Sequence, residues 1–126
     1  MKNKRELALY RLNDSKEKLN ASKILFKNGS YKDSVSRSYY AMFTSARALL
    51  ATKSLDSAKH SGVISLFNLH FVKAGIVGKE YGKLLAEAKN IREESDYGDF
   101  VIVSKEEGGI QIKHAEQFIK EIEKAI

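Results

Sequence analysis

The stretch Val35-Ser36-Arg37-Ser38-Tyr39-Tyr40-Ala41-Met42-Phe43-Thr44-Ser45-Ala46-Arg47-Ala48-Leu49-Leu50 decides how this chain folds. Val35, Tyr39, Met42, Ala46 and Leu49 recur at steps of four and three, which places them on one helix face. Ser36, Tyr40, Phe43 and Leu50 form a second stripe. A helix that is apolar on two faces belongs in the middle of a bundle, covered from several sides. Ser38, Ala41, Ser45 and Ala48 are small enough to let neighbouring helices approach closely. Arg37 and Arg47 interrupt this mild surface, and each needs a partner or an exit to water.

Working outward, the pattern predicts this helix over Tyr31 to Thr52. Before it, Ala8, Leu12, Ser15, Leu19, Ser22 and Phe26 make a narrow stripe on a helix from about Lys4 to Lys27, with Lys16, Lys18, Lys23 and Lys27 mostly off the stripe and solvated. Gly29 can close that helix in the left-handed conformation. After it, Asp56-Ser57 opens a new segment, and His60 to Val72 packs through Val63, Ile64, Phe67 and Phe71. Gly75 and Gly78 bracket a turn. A fourth helix runs from Lys79 to about Ser95, with Tyr81, Leu84, Leu85, Ala88 and Ile91 inward, and Gly98 ends it. Ser104-Lys105-Glu106-Glu107 is a capping-box pattern, and Gly108-Gly109 falls near the start of the helix that follows. Ile112, Ala115, Phe118, Ile119 and Ile122 form the inner stripe of that last helix. Val101-Ile102-Val103 reads locally as a strand, but an isolated strand is unstable, so it is expected as an extended loop packed on the bundle. The fold class is therefore all-α: an antiparallel up-and-down bundle of four to five helices, in one domain over 1–126.

Composition narrows the chemistry. The chain has 126 residues, no Cys and no Pro. Without Cys there are no disulfides and no thiolate metal sites. No apolar run approaches the roughly 18 residues that suggest a membrane span. The basic start lacks the apolar core of a secretory signal, so a cytoplasmic location is expected. Residues 1–79 carry 15 Lys and Arg against 5 Asp and Glu, whereas residues 80–126 carry 7 against 11. That asymmetry either draws an anionic partner to one side of the fold or serves a solvated surface. No βαβ alternation and no phosphate-loop or dinucleotide glycine pattern is present, so a nucleotide-binding sheet fold is excluded.

Few residues are arranged for catalysis. No Ser sits in a nucleophile elbow. His60, His70 and His114 lack the spacing of a helical ligand pair, and no metal or other cofactor is expected. The most unusual stretch is Asn90-Ile91-Arg92-Glu93-Glu94-Ser95-Asp96-Tyr97-Gly98-Asp99-Phe100. Arg92 and Asp96 stand at i, i+4, where a salt bridge forms naturally. Arg92 can equally grip a phosphate with its planar fork. Tyr97 and Phe100 either stack on a base or cap the core. The neighbouring acids disfavour an anion unless Arg37, Arg47 or the basic first helix shares the site.

The blocks Ser36-Arg37-Ser38-Tyr39-Tyr40-Ala41-Met42-Phe43 with Ala46-Arg47-Ala48-Leu49-Leu50, His60-Ser61-Gly62-Val63-Ile64-Ser65-Leu66-Phe67, and Ile91-Arg92 with Ser95-Asp96-Tyr97-Gly98-Asp99 resemble small stand-alone proteins of the HEPN domain family in order and spacing. The resemblance covers about half the chain. It implies a compact bundle that forms a homodimer and works beside a minimal nucleotidyltransferase, in some cases as a toxin–antitoxin pair. It also implies an association with RNA or nucleotides. Other members of the family are metal-independent ribonucleases whose Arg is followed after four to six residues by a His. Here the window after Arg92 is Glu93-Glu94-Ser95-Asp96-Tyr97-Gly98-Asp99, without a His. Metal-free RNA cleavage needs a proton carrier near neutral pH, which His supplies and an ordinary Asp does not.

Arg92 is thus carried over as a phosphate contact, with Asp96 and Tyr97 as its neighbours. Arg37, Arg47 and His60 complete the candidate phosphate- or RNA-binding set. The expected function is a non-catalytic or weakly catalytic nucleotide- or RNA-associated module. One alternative is a divergent ribonuclease that uses Tyr97, Asp96 or a His60 supplied across a dimer. A purely structural dimeric regulator is the other, with Tyr31, Tyr39 or Tyr40 as interface candidates.

Overall fold

The two-faced helix is indeed the centre of the molecule. In the computed structural model, which describes residues 3–126, it spans Tyr31–Ala51 (α2), and 14 of its 21 residues are buried. The other helices are α1 (Lys4–Lys27), α3 (His60–Phe67), α4 (Lys79–Tyr97) and α5 (Lys105–Ala125). No strand occurs among the described residues, and no helix among them is long and apolar enough to cross a membrane.

Small residues set the closest contact. Ser22 of α1 meets Ser34 and Ser38 of α2: Ser22 Oγ lies 2.7 Å from Ser38 Oγ and donates to the Ser34 carbonyl at 2.7 Å. Ser34 Oγ returns a hydrogen bond to the Ser22 carbonyl at 2.9 Å. All three serines are fully buried, so their hydroxyls are satisfied across the interface rather than by water. The α1 stripe Ala8, Leu12, Ser15, Leu19 and Ser22 is buried as its spacing predicts, and Phe26 is half-buried.

The chain reverses between α1 and α2 at Gly29, which has φ +80. Gly29 N–H donates to the Phe26 carbonyl and Ser30 N–H to the Leu25 carbonyl, the paired bonds of a Schellman turn. A side chain is strained at that φ, and glycine is free of that cost. Lys16–Glu123 (3.0 Å) and Lys23–Glu116 (3.3 Å) run in opposite order along α1 and α5, so these two helices are antiparallel. Part of the charge asymmetry along the sequence is therefore spent within the fold, basic α1 against acidic α5. Tyr81 of α4 packs on Phe118 of α5, while Arg92 further along α4 reaches Tyr39 and Tyr40 in the middle of α2.

The third segment holds its predicted bounds, but its second half is a π-helical turn, Asn68–Val72, closed by Lys73 N–H onto the Asn68 carbonyl at 2.8 Å. Phe67 before the turn and Phe71 within it are both buried in the core. Asp56-Ser57 does not start this helix. Asp56 accepts from Ser57 N–H and Ser57 Oγ from Lys59 N–H, so the pair shapes the loop before it. The fourth helix extends two residues past Ser95, to Tyr97. Only Leu85, Ala88 and Ser95 of it are buried; Tyr81, Leu84 and Ile91 are half-buried because α4 covers one flank of the bundle. Ser104 caps α5 by accepting from Glu107 N–H at 3.0 Å, one half of the capping box. Gly108 and Gly109 lie within the first turns of α5, where Gly108 brings that helix against Phe26. The segment before α5 is extended and anchored by Val103, as expected, whereas Ile102 is almost wholly exposed.

Candidate functional site

The candidate site grows from the end of α4, where one turn of helix brings Arg92 and Asp96 together. Arg92 Nε lies 2.9 Å from Asp96 Oδ2. The N–H does not point along that line, so Nε is buried without an aligned hydrogen bond. The contact is an ion pair by distance rather than a directed bond. Aromatic rings enclose the rest of the guanidinium. Its central carbon is 5.1 Å from the Tyr40 ring centroid, 5.5 Å from Tyr97 and 6.0 Å from Tyr39, all within cation–π range. Burial works against its charge, but Tyr40, Tyr97 and Asp96 outweigh it and raise the pKa further above its ordinary value. The side chain is 15% exposed, and its outer nitrogens make no hydrogen bond with the described residues. A permanent cation with unused donors is thus held at the surface by a stack of rings.

His60, the first residue of α3, comes to the same cluster from the opposite direction. Its Nδ1 is 3.1 Å from the hydroxyl of Tyr39. Its ring stacks on Phe43 at 4.2 Å and meets the edge of Tyr40 at 5.8 Å. Burial, then Arg92, Lys89 and Arg47, push its pKa below the usual value, with Glu93 opposing. The Tyr39 phenol is raised well above its ordinary value, chiefly by burial, and stays protonated. Arg92 and His60 are 32 positions apart in sequence, yet both touch Tyr39 and Tyr40. The structure therefore brings a His into the Arg92 neighbourhood within one chain, without the short Arg-to-His spacing.

The remaining candidates separate. Arg37 is exposed and borders a shallow groove with Leu25, Asp33, Ser36 and Tyr40. Tyr40 is therefore shared between this groove and Arg92. Arg47 faces elsewhere and is engaged: Nε and Nη2 grip the two oxygens of Asp56 at 3.2 and 2.9 Å. Arg11 adds a third bond to Asp56 at 3.1 Å. The hydrogen bond from Arg47 is the main cause that holds the Asp56 carboxyl down at about 2, while partial burial opposes it. Tyr97 is three-quarters exposed and Phe100 fully exposed, so neither caps the core. Phe100 also carries a positive φ of 60, uncommon for a large side chain.

Sequence reasoning did not anticipate the Tyr39–His60 hydrogen bond or the Arg11–Asp56–Arg47 hub. The only sequence signal for the first was the adjacent Tyr39-Tyr40 pair on a helix otherwise rich in small residues. No group of three or more His, Cys, Asp or Glu able to hold a metal exists among the described residues.

Among the described residues, a five-helix bundle with an arginine enclosed by aromatic rings at a helix end defines a small all-α protein. The chain belongs to the HEPN domain family, whose description matches residues 8–125. It is 44% identical over 112 residues to "Putative toxin MJ0605" of Methanocaldococcus jannaschii, which covers 89% of this chain and 83% of that protein. A "UPF0332 protein" of Thermotoga maritima is 40% identical over 126 residues, all of this chain and 96% of that one. "Putative toxin MJ0142" of Methanocaldococcus jannaschii is 35% identical over 121 residues, 96% of this chain and 82% of that protein.

Proposed function

We propose that this chain is the toxin-like half of a two-part system: a homodimeric HEPN module that binds the phosphate of RNA or a nucleotide through Arg92. It acts with a minimal nucleotidyltransferase partner and has little or no cleaving activity of its own. The observation that carries this reading is the Arg92 guanidinium, fixed between Tyr39, Tyr40 and Tyr97 with its outer donors unpaired. A planar fork of that kind suits a phosphate oxygen pair. Tyr97, exposed beside it, offers a stacking face for a base, and Arg37 extends positive charge along the Tyr40 groove. The names of the two archaeal relatives support the toxin-like role, and the resemblance to two-part HEPN systems supports the partner.

The test is a titration of a short single-stranded RNA into the chain without metal, followed by anisotropy, together with a cleavage assay. Saturable binding that falls at least tenfold in Arg92→Ala, with intact RNA recovered, is the expected result. Binding indifferent to Arg92 contradicts the reading.

A divergent ribonuclease is the second reading, and the location of His60 favours it. It predicts metal-free cleavage with a bell-shaped pH dependence that His60→Ala abolishes.

A further inference from the structure

We infer that Tyr39 is a positioning residue whose buried hydroxyl donates to His60 Nδ1, so that His60 offers a bound phosphate a neutral Nε2–H donor beside the Arg92 cation. This rests on the phosphate-binding reading above and deepens it, since it assigns a second ligand group from another helix of the same chain.

Tyr39 is fully buried on α2, and among the described residues its hydroxyl has one hydrogen-bonding partner, His60 Nδ1 at 3.1 Å. A buried O–H needs an acceptor. The imidazole lone pair is a good one, whereas an Nδ1–H would leave the phenol hydrogen facing no acceptor. A neutral imidazole carries one hydrogen, so a lone pair used on Nδ1 puts that hydrogen on Nε2. The ring cannot turn freely to undo this arrangement. Phe43 stacks on one face at 4.2 Å with an interplanar angle of 28°, and Tyr40 stands edge-on at 85°.

Charge keeps the ring neutral. Arg47 of α2, which grips Asp56, and Lys89 and Arg92 of α4, the latter beside Asp96, act on it as cations, and the carboxylate of Glu93, 3.7 Å from Lys89, opposes them. Tyr39 and Tyr40 are the remaining titratable groups against it, and the Tyr39 phenol is un-ionised. Positive charge at the site then comes from Arg92, and His60 contributes direction. The same arrangement has a chemical consequence. A nitrogen that already carries its hydrogen has no lone pair with which to take a proton from a ribose hydroxyl. His60 held in this way grips a phosphate and does not act as the base that cleaves beside it. The inference therefore separates the two functional readings.

Nitrogen-15 NMR of the imidazole rings in the full chain tests it, with inorganic phosphate and then a short oligouridylate as probes. At pH 7 the His60 ring is expected in the Nε2–H form, and added phosphate should move the Nε2 signal. Tyr39→Phe should give a mixture of tautomers and weaken phosphate binding about three- to tenfold. His60→Gln, which keeps a neutral donor, should retain most of the affinity, and His60→Phe should lose it. If Tyr39→Phe fails to fold, the wild-type tautomer still tests the role of Tyr39, and these two variants test the donor role of His60. An Nδ1–H form in the wild type, or a tautomer unchanged by Tyr39→Phe, overturns the role of Tyr39 even if phosphate binds. An Nε2–H form that phosphate leaves unmoved overturns the donor role of His60, while the Arg92 reading is decided separately by the Arg92→Ala titration.

Discussion

Two arginine clusters on this bundle look alike in composition and differ in what they leave open. At the loop between α2 and α3, Arg47 and Arg11 converge on Asp56 through three hydrogen bonds of 2.9 to 3.2 Å. At the end of α4, Arg92 faces Asp96 at 2.9 Å without an aligned hydrogen bond, and aromatic rings hold it instead. The first cluster saturates a carboxylate and ties α1, α2 and a loop together. The second fixes a cation in place and leaves its outer donors unspent. Positive charge alone does not mark a ligand site. The proposed site is instead a cation whose position is fixed by neighbours that do not use its outer hydrogen-bonding groups.

The sharpest way to break this comparison is to exchange the effects of the two arginines. Arg92→Ala should cost at least tenfold in RNA affinity, in keeping with about 1.5–3 kcal/mol for a charged hydrogen bond. Arg47→Ala should leave affinity within about twofold and lower stability by about 1 kcal/mol, discounted because Asp56 is 43% exposed. Paired thermal melts and binding curves on the two variants read both effects.

The hub also has a pH signature. The folded Asp56 carboxyl sits at about 2, below its ordinary 3.8. Its contribution is therefore fully present above the ordinary value and is lost as pH falls through that window. Asp56→Asn should flatten the decline in stability between about pH 4 and 2 in chemical denaturation. His60 acts in a higher window. With its pKa lowered, the folded state binds fewer protons than the unfolded one, so stability should fall as pH drops below the ordinary histidine value of 6.5. His60→Gln should remove that part of the slope.

The smallest effect belongs to the exposed α1–α5 pairs. Breaking Lys23–Glu116 by Lys23→Ala should change stability by no more than about 0.5 kcal/mol in a urea melt, since both side chains are at least 40% exposed.

The difference between the clusters also explains how much could be read before the structure. Helix positions and their buried stripes were legible because periodicity is local: Val35, Tyr39, Met42, Ala46 and Leu49 announce a central helix by spacing alone. Arg92–Asp96 was legible for the same reason, as an i, i+4 pair. Tyr39–His60 and Arg11–Asp56 are 21 and 45 positions apart, and only the packing of α2 against α1 and α3 brings them together. The missing His of the short Arg-to-His pattern was visible, and His60 was named as a candidate; that His60 meets the same tyrosines as Arg92 within one chain was not. Phe100 shows the converse: its apolar character suggested packing, but the turn after Gly98 carries it fully into solvent.

The most direct test of the whole account is the affinity of a short single-stranded RNA for the wild type, Arg92→Ala and Arg47→Ala, measured side by side by anisotropy at low salt without metal. The account predicts a loss of tenfold or more in Arg92→Ala, with Arg47→Ala close to wild type. Equal affinity in wild type and Arg92→Ala, or a larger loss in Arg47→Ala, contradicts it.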